Sequence, residues 1–293
     1  MDKYETPSQK SYEAASSKND AIRTLLMSSN TRTIQVGPVK IGGPEFTVIA
    51  GPCSIENQSQ FLETALAVKS AGAVLLRGGV WKLRTSAQTF QGLGPQALNF
   101  IKDVLQQSQM SLVSEVTDPR QIEMLDDYVE MYQVGSRNMH NYALLKELGQ
   151  TQKPVLLKRG FAAFVDEWIK AAEYVSQGGN NNVILCERGI RTFETTTRNT
   201  LDLNSVVYAK ARTQFPVIVD PSHAVGVSEF VAPLALAAAA AGADGVIVEV
   251  HPRPAEALSD GQQALTPANF REFMRKLEGV LTALDRPLNK LES

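Results

Sequence analysis

The chain has 293 residues, 43% of them apolar, and its net charge at pH 7 is −2. About 250 residues is typical of one (β/α)8 barrel, so this length allows a single large domain with short extensions. The near-neutral charge gives no global sign of a nucleic-acid or membrane-surface partner. The two cysteines, Cys53 and Cys186, cannot build a disulfide framework, and they fit a reducing cytoplasm.

The first 46 residues differ in composition from the rest of the chain. Residues 1–30 are polar and contain no apolar signal segment, so we expect an N-terminal extension with a short helix near residues 19–27. Residues 31–46 alternate apolar and polar around Gly-Pro and Gly-Gly pairs, which predicts a β-hairpin. The longest apolar run, residues 230–243, is rich in Ala and shorter than the ~20 residues of a membrane span. We interpret it as a buried helix and expect a cytoplasmic protein.

Short apolar runs rich in Val, Ile and Leu recur along the remainder of the chain. They cover residues 47–54, 73–79, 111–116, 131–136, 154–160, 182–189, 216–223 and 245–252. Stretches with helical periodicity, such as 59–72 and 164–179, separate them, and a last helix is predicted over 267–284. This alternation predicts parallel βαβ units.

Eight such units predict an α/β fold, a closed (β/α)8 (TIM) barrel. We assign it residues 31–285, including the hairpin, with a tail at 286–293. An open, doubly wound sheet is the alternative. The chain lacks the Gly-x-Gly-x-x-Gly turn after its first strand that many such sheets carry, which favours the barrel.

Cations gather where the predicted strands end, and in a barrel these ends build the active site. Any one of them is explained equally well as a solvated flanking residue. Seven at one face of a near-neutral chain instead predict a site for substrates with several phosphate or carboxylate groups. They are Arg77, Lys82, Arg84, Arg137, Lys158, Arg159 and Arg188.

Four further residues at these ends have the chemistry of metal ligands. Cys53, His223, Glu249 and Asp260 follow strands one, seven and eight, which are neighbours once a barrel closes. A buried cysteine or a hydrogen-bonded core histidine explains either residue alone, but four convergent donors favour a metal site. The mixed set suits a borderline divalent ion such as Mn²⁺, Fe²⁺, Co²⁺ or Zn²⁺. Lys158 as a Schiff-base lysine is an alternative chemistry, but its cationic neighbours suit anion binding better.

The chain resembles the 3-deoxy-D-arabino-heptulosonate 7-phosphate (DAHP) synthases. The closest likeness is to the single-barrel branch related to the 3-deoxy-D-manno-octulosonate 8-phosphate (KDO8P) synthases. The likeness runs from about residue 35 to residue 285. The matching segments are AGPCSIE (50–56), LRGG (76–79), RTS and FQGLG (within 84–94), VGSRNM (134–139), PVLLKRG (154–160), ILCERGIRTFE (184–194), RNTLDL (198–203), PVIVDPSHAVG (216–226) and ALSDGQQAL (257–265).

This resemblance implies a condensation of phosphoenolpyruvate with erythrose 4-phosphate, the first step of the shikimate pathway to aromatic amino acids. The metal ligands it implies are the same four residues. For the mechanism, Lys82 is the candidate proton donor or oxygen stabiliser near the new hydroxyl group, and Glu115 is the candidate for managing the water molecule. The residues implied for substrate binding are Arg77, Lys82, Arg137, Lys158 and Arg188 with Ser136 for phosphoenolpyruvate, Arg84 and Thr85 for the aldose phosphate, and Asp220 beside His223. A homo-oligomer, either a dimer or a tetramer, is also implied.

Four positions depart from the resembled pattern. Leu83 replaces a proline, Ser136 an alanine, His140 a glutamine and Arg253 an aspartate. Because a proline fixes φ, its loss bears on the aldose-binding loop and so on the identity of the aldose.

Three alternative functions stay open at this point. One is a KDO8P synthase, which the run Arg84-Thr85-Ser86 does not match. Another is a secondary-metabolism paralogue that uses a modified aldose, suggested by Leu83 and Arg253. The last is a non-catalytic binding or regulatory paralogue, which would carry a broken metal set.

The resemblance also bears on regulation, because feedback by aromatic amino acids usually comes from an added domain. We expect no such feedback here unless a subunit interface or a partner protein supplies the effector site.

Overall fold

The computed structural model describes residues 31–84, 86 and 88–291, so the predicted extension and the helix near residues 19–27 lie outside the described residues. Eight parallel strands pair in chain order and close into a barrel, which confirms the predicted fold. They are β3 (Thr47–Gly51), β4 (Leu75–Arg77), β5 (Ser111–Val116), β6 (Met131–Val134), β7 (Val155–Lys158), β8 (Val183–Glu187), β9 (Val217–Val219) and β10 (Gly245–Glu249).

Helices cover the outside of the barrel between the strands. They are α1 (Gln58–Ser70), α2 (Pro95–Ser108), α3 (Gln121–Asp126), α4 (Tyr142–Gly149), α5 (Val165–Gln177), α6 (Leu203–Arg212), α7 (Pro221–Val225), α8 (Ser228–Ala240) and α9 (Pro267–Ala283). The helices predicted over 59–72, 164–179, 230–243 and 267–284 correspond to α1, α5, α8 and α9. Among the described residues, no helix combines the length and apolar character needed to cross a bilayer.

The predicted hairpin is present and closes the amino-terminal end of the barrel. Its strands are β1 (Ile34–Val36) and β2 (Val39–Ile41), paired antiparallel. Ile34, Val36, Val39 and Ile41 are buried and form one apolar cluster with side chains of the barrel interior. The hairpin therefore acts as the floor of the barrel. Alongside it, Pro287 and Asn289 of the predicted tail make backbone hydrogen bonds with Phe46.

The alternation of strand side chains places polar groups above the apolar barrel interior. Leu75 and Ile247 lie in the interior cluster. Side chains two residues apart point to the same side of a strand. Arg77 and Glu249, two residues beyond them at the strand ends, are therefore directed inward at the carboxyl-terminal end, and both are buried. The same strands therefore supply apolar side chains to the interior and polar side chains to the carboxyl-terminal end of the barrel.

The hairpin gives a test of this division. We expect Ile41→Ala to lower the free energy of unfolding by about 2–5 kcal/mol, because it removes a fully buried side chain from the barrel floor. Lys40→Ala is the matched control, since Lys40 is exposed on the other face of the same strand. Chemical denaturation measures both variants. A loss for Lys40→Ala as large as that for Ile41→Ala would contradict the assignment.

Candidate active site

A cavity of about 430 Å³ opens among the carboxyl-terminal ends of the barrel strands. Its described lining is strongly cationic, with eight Lys and Arg side chains against two carboxylates, those of Glu115 and Asp260. Such a surface matches substrates with several anionic groups. The eight cations are Arg77, Lys82, Arg84, Arg137, Lys158, Arg188, Arg191 and Arg198.

The four predicted metal donors converge beside this cavity, and two of them, His223 and Asp260, line it. One ligand atom from each of Cys53, His223, Glu249 and Asp260 lies within 4.8 Å of the others. Cys53 follows β3, His223 lies in α7 after β9, and Glu249 ends β10, three adjacent strands of the closed barrel. Asp260 comes from the loop after β10 and has a φ of 52°. Aspartate tolerates this left-handed conformation better than most residues do.

His223 is held in the tautomer that a metal ligand needs. Its Nδ1 lies 2.7 Å from Oδ2 of Asp220, and its backbone N–H donates to the other oxygen of that carboxylate at 2.9 Å. Burial lowers the pKa of His223 to about 4, which keeps the ring neutral at pH 7. With the proton on Nδ1, the lone pair of Nε2 faces the other donors.

The donor set fits a divalent ion on its own geometry. His223 Nε2 lies 3.2 Å from Oε1 of Glu249, although a neutral Nε2 and a carboxylate oxygen are both acceptors. That oxygen is buried and, within the described residues, accepts no hydrogen bond of good geometry, although Arg77 Nη2 forms an ion pair with it at 3.1 Å. Two ligands held tetrahedrally at about 2.0–2.2 Å from one ion stand roughly 3.4 Å apart. A cation bound between them would satisfy both atoms.

Lys82 brings a positive charge to the same group. Its Nζ contacts the sulfur of Cys53 and lies 3.0 Å from Oδ2 of Asp260. Burial opposes this charge, but the nearby Cys53, Glu249 and Asp260 outweigh that effect and raise the pKa of Lys82. Lys82 is thus an ammonium group at the edge of the metal donors.

Other cations are linked to the donors through single contacts. Arg77 Nη2 lies 3.1 Å from Oε1 of Glu249, while its Nε and Nη1 are buried without a hydrogen bond inside the described part of the chain. Lys158 Nζ lies 2.5 Å from Oδ2 of Asp220. Asp220 is fully buried and lies behind the cavity wall, in contact with His223 and Lys158. Arg188 donates from Nη2 to the carbonyl of His223 at 3.0 Å.

Glu115, Ser136 and Arg137 line the side of the cavity formed by β5 and the β6 loop. Gly135 makes room for Glu115, because a Cβ on that glycine would lie 2.2 Å from Oε1 of Glu115. Arg84 lies beside Asp260, with Nη1 at 3.6 Å from Oδ2 of that carboxylate. Thr85 is outside the described residues.

The structure corrects one member of the predicted cation group. Arg159 does not line the cavity but lies in the layer between barrel and helices, where its Nη1 donates to Asp202 at 2.8 Å and to Ser205 at 2.7 Å. It is adjacent to Lys158 in the chain, so its side chain points to the opposite side of the strand.

Two of the departures from the resembled pattern are also outside the cavity lining. His140 is exposed, and Arg253 pairs with Glu63 at 3.0 Å.

Sequence reasoning missed several residues that line the cavity. Arg191 and Arg198 lie in the loop after β8, and Phe161 lies in the loop after β7. The two arginines belong to segments that match the resembled family, ILCERGIRTFE and RNTLDL. That membership was the available signal, because neither residue directly follows a strand.

Comparison with known proteins agrees with this architecture and site. Residues 22–286 match the DAHP synthetase I family. The phospho-2-dehydro-3-deoxyheptonate aldolase of Thermotoga maritima is 44% identical over 256 residues, 87% of this chain and 76% of the relative. The 2-dehydro-3-deoxyphosphooctonate aldolase of Koribacter versatilis is 31% identical over 273 residues, 86% of this chain and 94% of the relative.

Two solved structures of the Thermotoga maritima DAHP synthase are similar to this fold. The first has a TM-score of 0.86 at 43% identity and covers 88% of this chain and 76% of its own. The second, a truncated form, has a TM-score of 0.82 at 41% identity and covers 88% of this chain and 95% of its own. With a family match over most of its length, a related barrel and an assembled donor set, the chain belongs to the DAHP synthetase I family.

Proposed function

We propose that this chain condenses phosphoenolpyruvate with erythrose 4-phosphate and releases 3-deoxy-D-arabino-heptulosonate 7-phosphate and inorganic phosphate. The observation that carries the proposal is one cavity lined by eight cations, beside which four candidate metal donors converge, in a chain with a net charge of −2. Two anionic substrates repel each other in water. A preformed cationic cavity offsets that repulsion and orients the reacting carbons.

Cys53, His223, Glu249 and Asp260 would hold a divalent ion, which we propose to be Mn²⁺, Fe²⁺, Co²⁺ or Zn²⁺. When bound, the ion would act as a Lewis acid on the aldehyde oxygen. Asp220 would hold the proton of His223 on Nδ1 and fix the orientation of the ring for this role, while burial keeps the ring neutral.

The phosphoenolpyruvate anions would be held by Arg77, Arg137, Lys158 and Arg188, with Ser136 beside them. The buried N–H groups of Arg77 that have no acceptor in the described structure support this role, since buried donors are rarely left unpaired. C3 of phosphoenolpyruvate would attack the aldehyde carbon and form the new C–C bond. Water would then add to C2, and cleavage of the C2–O bond would release phosphate.

The aldose phosphate would lie at the opposite side of the cavity, at Arg84 and Thr85. Arg198 joins Arg84 there, since its Nη2 lies 3.8 Å from the other oxygen of Asp260. Lys82, a buried ammonium beside Asp260, would donate the proton that the aldehyde oxygen gains. Glu115, the carboxylate at the phosphoenolpyruvate side, would orient the water that adds to C2.

The alternatives differ in how much the observations favour them. A KDO8P synthase is supported by relatives near 31% identity, against 44% for the phospho-2-dehydro-3-deoxyheptonate aldolase. A modified aldose is favoured by Leu83, which lines the cavity, but not by the exposed Arg253. A non-catalytic paralogue does not account for four assembled metal donors.

We further propose that the protein is cytoplasmic and forms a homo-oligomer, either a dimer or a tetramer. Light scattering of the purified protein measures the oligomeric state.

A substrate panel tests the proposed function. We expect phosphate release from phosphoenolpyruvate to be fastest with erythrose 4-phosphate, and mass spectrometry to identify the seven-carbon product. Arabinose 5-phosphate and ribose 5-phosphate serve as competing aldoses. A higher kcat/KM with arabinose 5-phosphate would instead establish the octulosonate reaction.

Removal of the metal should abolish turnover, because the ion is the electrophile that would polarise the aldehyde oxygen. Without it, Lys82 is the remaining cation at that point and is a weaker electrophile. Treatment with a chelator is expected to stop phosphate release, and re-addition of one of the four divalent ions to restore it. Cys53→Ser should strongly lower both the amount of bound metal and the turnover rate, since it replaces a thiolate ligand. Cys186→Ser is the matched control, because Cys186 lies in the barrel interior outside the donor set. Full activity in protein shown by elemental analysis to be metal-free would refute the metal site.

Arg84 gives a test of the substrate arrangement. A charge-assisted phosphate contact contributes roughly 1.5–3 kcal/mol, so Arg84→Ala should raise the aldose KM about tenfold to a hundredfold. The KM for phosphoenolpyruvate should stay nearly unchanged. Arg275→Ala, at an exposed arginine of α9, controls for the loss of one positive charge. Equal effects of Arg84→Ala on both substrates would show that the two anion sites are assigned wrongly.

A further inference from the structure

Three of the cavity arginines surround a single aromatic ring. The guanidinium carbons of Arg188, Arg191 and Arg137 lie 4.7, 5.1 and 5.4 Å from the centroid of the Phe161 ring. All three distances are within the ~6 Å at which a cation is attracted to an aromatic face. The four residues line the same cavity and come from the loops or ends of three different strands.

The ring stands where three positive charges would otherwise repel one another. Its negative face attracts each guanidinium, so it offsets part of that repulsion without adding a charge. The backbone joins the same pieces, because the N–H of Arg191 donates to the carbonyl of Phe161 at 2.7 Å. Phe161 therefore ties the loop after β7 to the loop after β8 at the cavity wall.

The kind of contact matters for anion binding. A guanidinium packs on a ring through its planar face, whereas it binds carboxylate or phosphate through the N–H groups at its edge. A carboxylate at position 161 would also hold the arginines, but it would consume N–H donors and cancel positive charge. Arg188 shows that the contact with a ring leaves a donor available: its Nη1 is buried and has no hydrogen-bond acceptor among the described residues.

We propose that Phe161 is a positioning residue that holds Arg137, Arg188 and Arg191 at the cavity wall and keeps N–H donors such as Nη1 of Arg188 available to the anionic groups of phosphoenolpyruvate. The proposal rests on the proposed function, and it adds a residue that makes no polar contact with substrate. Phe161 acts through the arginines, so its loss should weaken phosphoenolpyruvate binding rather than the chemical step.

The test is a graded series at position 161 in the metal-loaded enzyme. Phe161→Leu and Phe161→Met remove the ring and are expected to raise the KM for phosphoenolpyruvate about three- to tenfold, with kcat and the aldose KM changed less than about twofold. Phe161→Tyr keeps the ring and should rescue the KM. Replacement of Phe161 by mono-, di- and trifluorinated phenylalanine weakens the ring's negative face at nearly constant shape, so the KM should rise with each fluorine.

Each outcome has one meaning. A fluorinated series with a flat KM, alongside a raised KM in Phe161→Leu, would show that the ring acts by packing alone and would overturn the proposal. Equal losses of kcat in all variants would overturn it as well. Phosphate release by the unsubstituted enzyme is measured first. If it releases no phosphate from phosphoenolpyruvate with any aldose, the proposed function itself fails. Phe90→Leu, at a phenylalanine outside the cavity lining, controls for the loss of an aromatic ring.

Discussion

Positive charge concentrated at one end of the barrel is the constraint that organises this molecule. Eight cations converge on one cavity although the chain as a whole is nearly neutral. Like charges a few ångströms apart repel strongly where water is scarce. Carboxylates placed beside the cations reduce that cost: the buried Glu249 beside Arg77, the buried Asp220 beside Lys158, and the partly exposed Asp260 beside Lys82. The apolar floor and helix layer must supply the stability that this end of the barrel gives up.

The same carboxylates also shape the candidate metal site, so the two halves of the cavity form one network. Asp220 orients the ring of His223 and holds Lys158, while Glu249 contacts both His223 and Arg77. A bound divalent cation adds positive charge to this network, and a bound anionic substrate removes it. If both bind as proposed, each would lower the electrostatic cost of binding the other, which is a coupling free energy between the two sites.

The fold and the convergence of the four candidate metal donors were predictable from sequence for a common reason. Strands buried on both faces are continuous apolar runs, so all eight could be found, and residues such as Glu249 stand directly at their ends. The prediction for Arg159 was wrong. It placed Arg159 in the cavity because the residue stands at a strand end, and it ignored the alternation that sends neighbouring side chains to opposite sides of a strand. Arg198 and Phe161 lie in loops, where no periodicity indicates direction. A phenylalanine before a helical stretch reads as packing, and only the structure shows what surrounds its ring.

Strands and loops thus divide the work of the cavity. Arg77 and Lys158 are strand residues, and barrel register fixes where they point. These residues would bind phosphoenolpyruvate, the substrate that the heptulosonate and octulosonate reactions have in common. Leu83, Arg84 and Arg198 lie on loops, at the side assigned to the aldose. Loops tolerate change better than a closed barrel does, so the aldose can vary while the reaction is kept. Leu83, where the resembled pattern has a proline, lies on the side assigned to the aldose, so a substitution there would affect the fit of the aldose before it affected the chemistry.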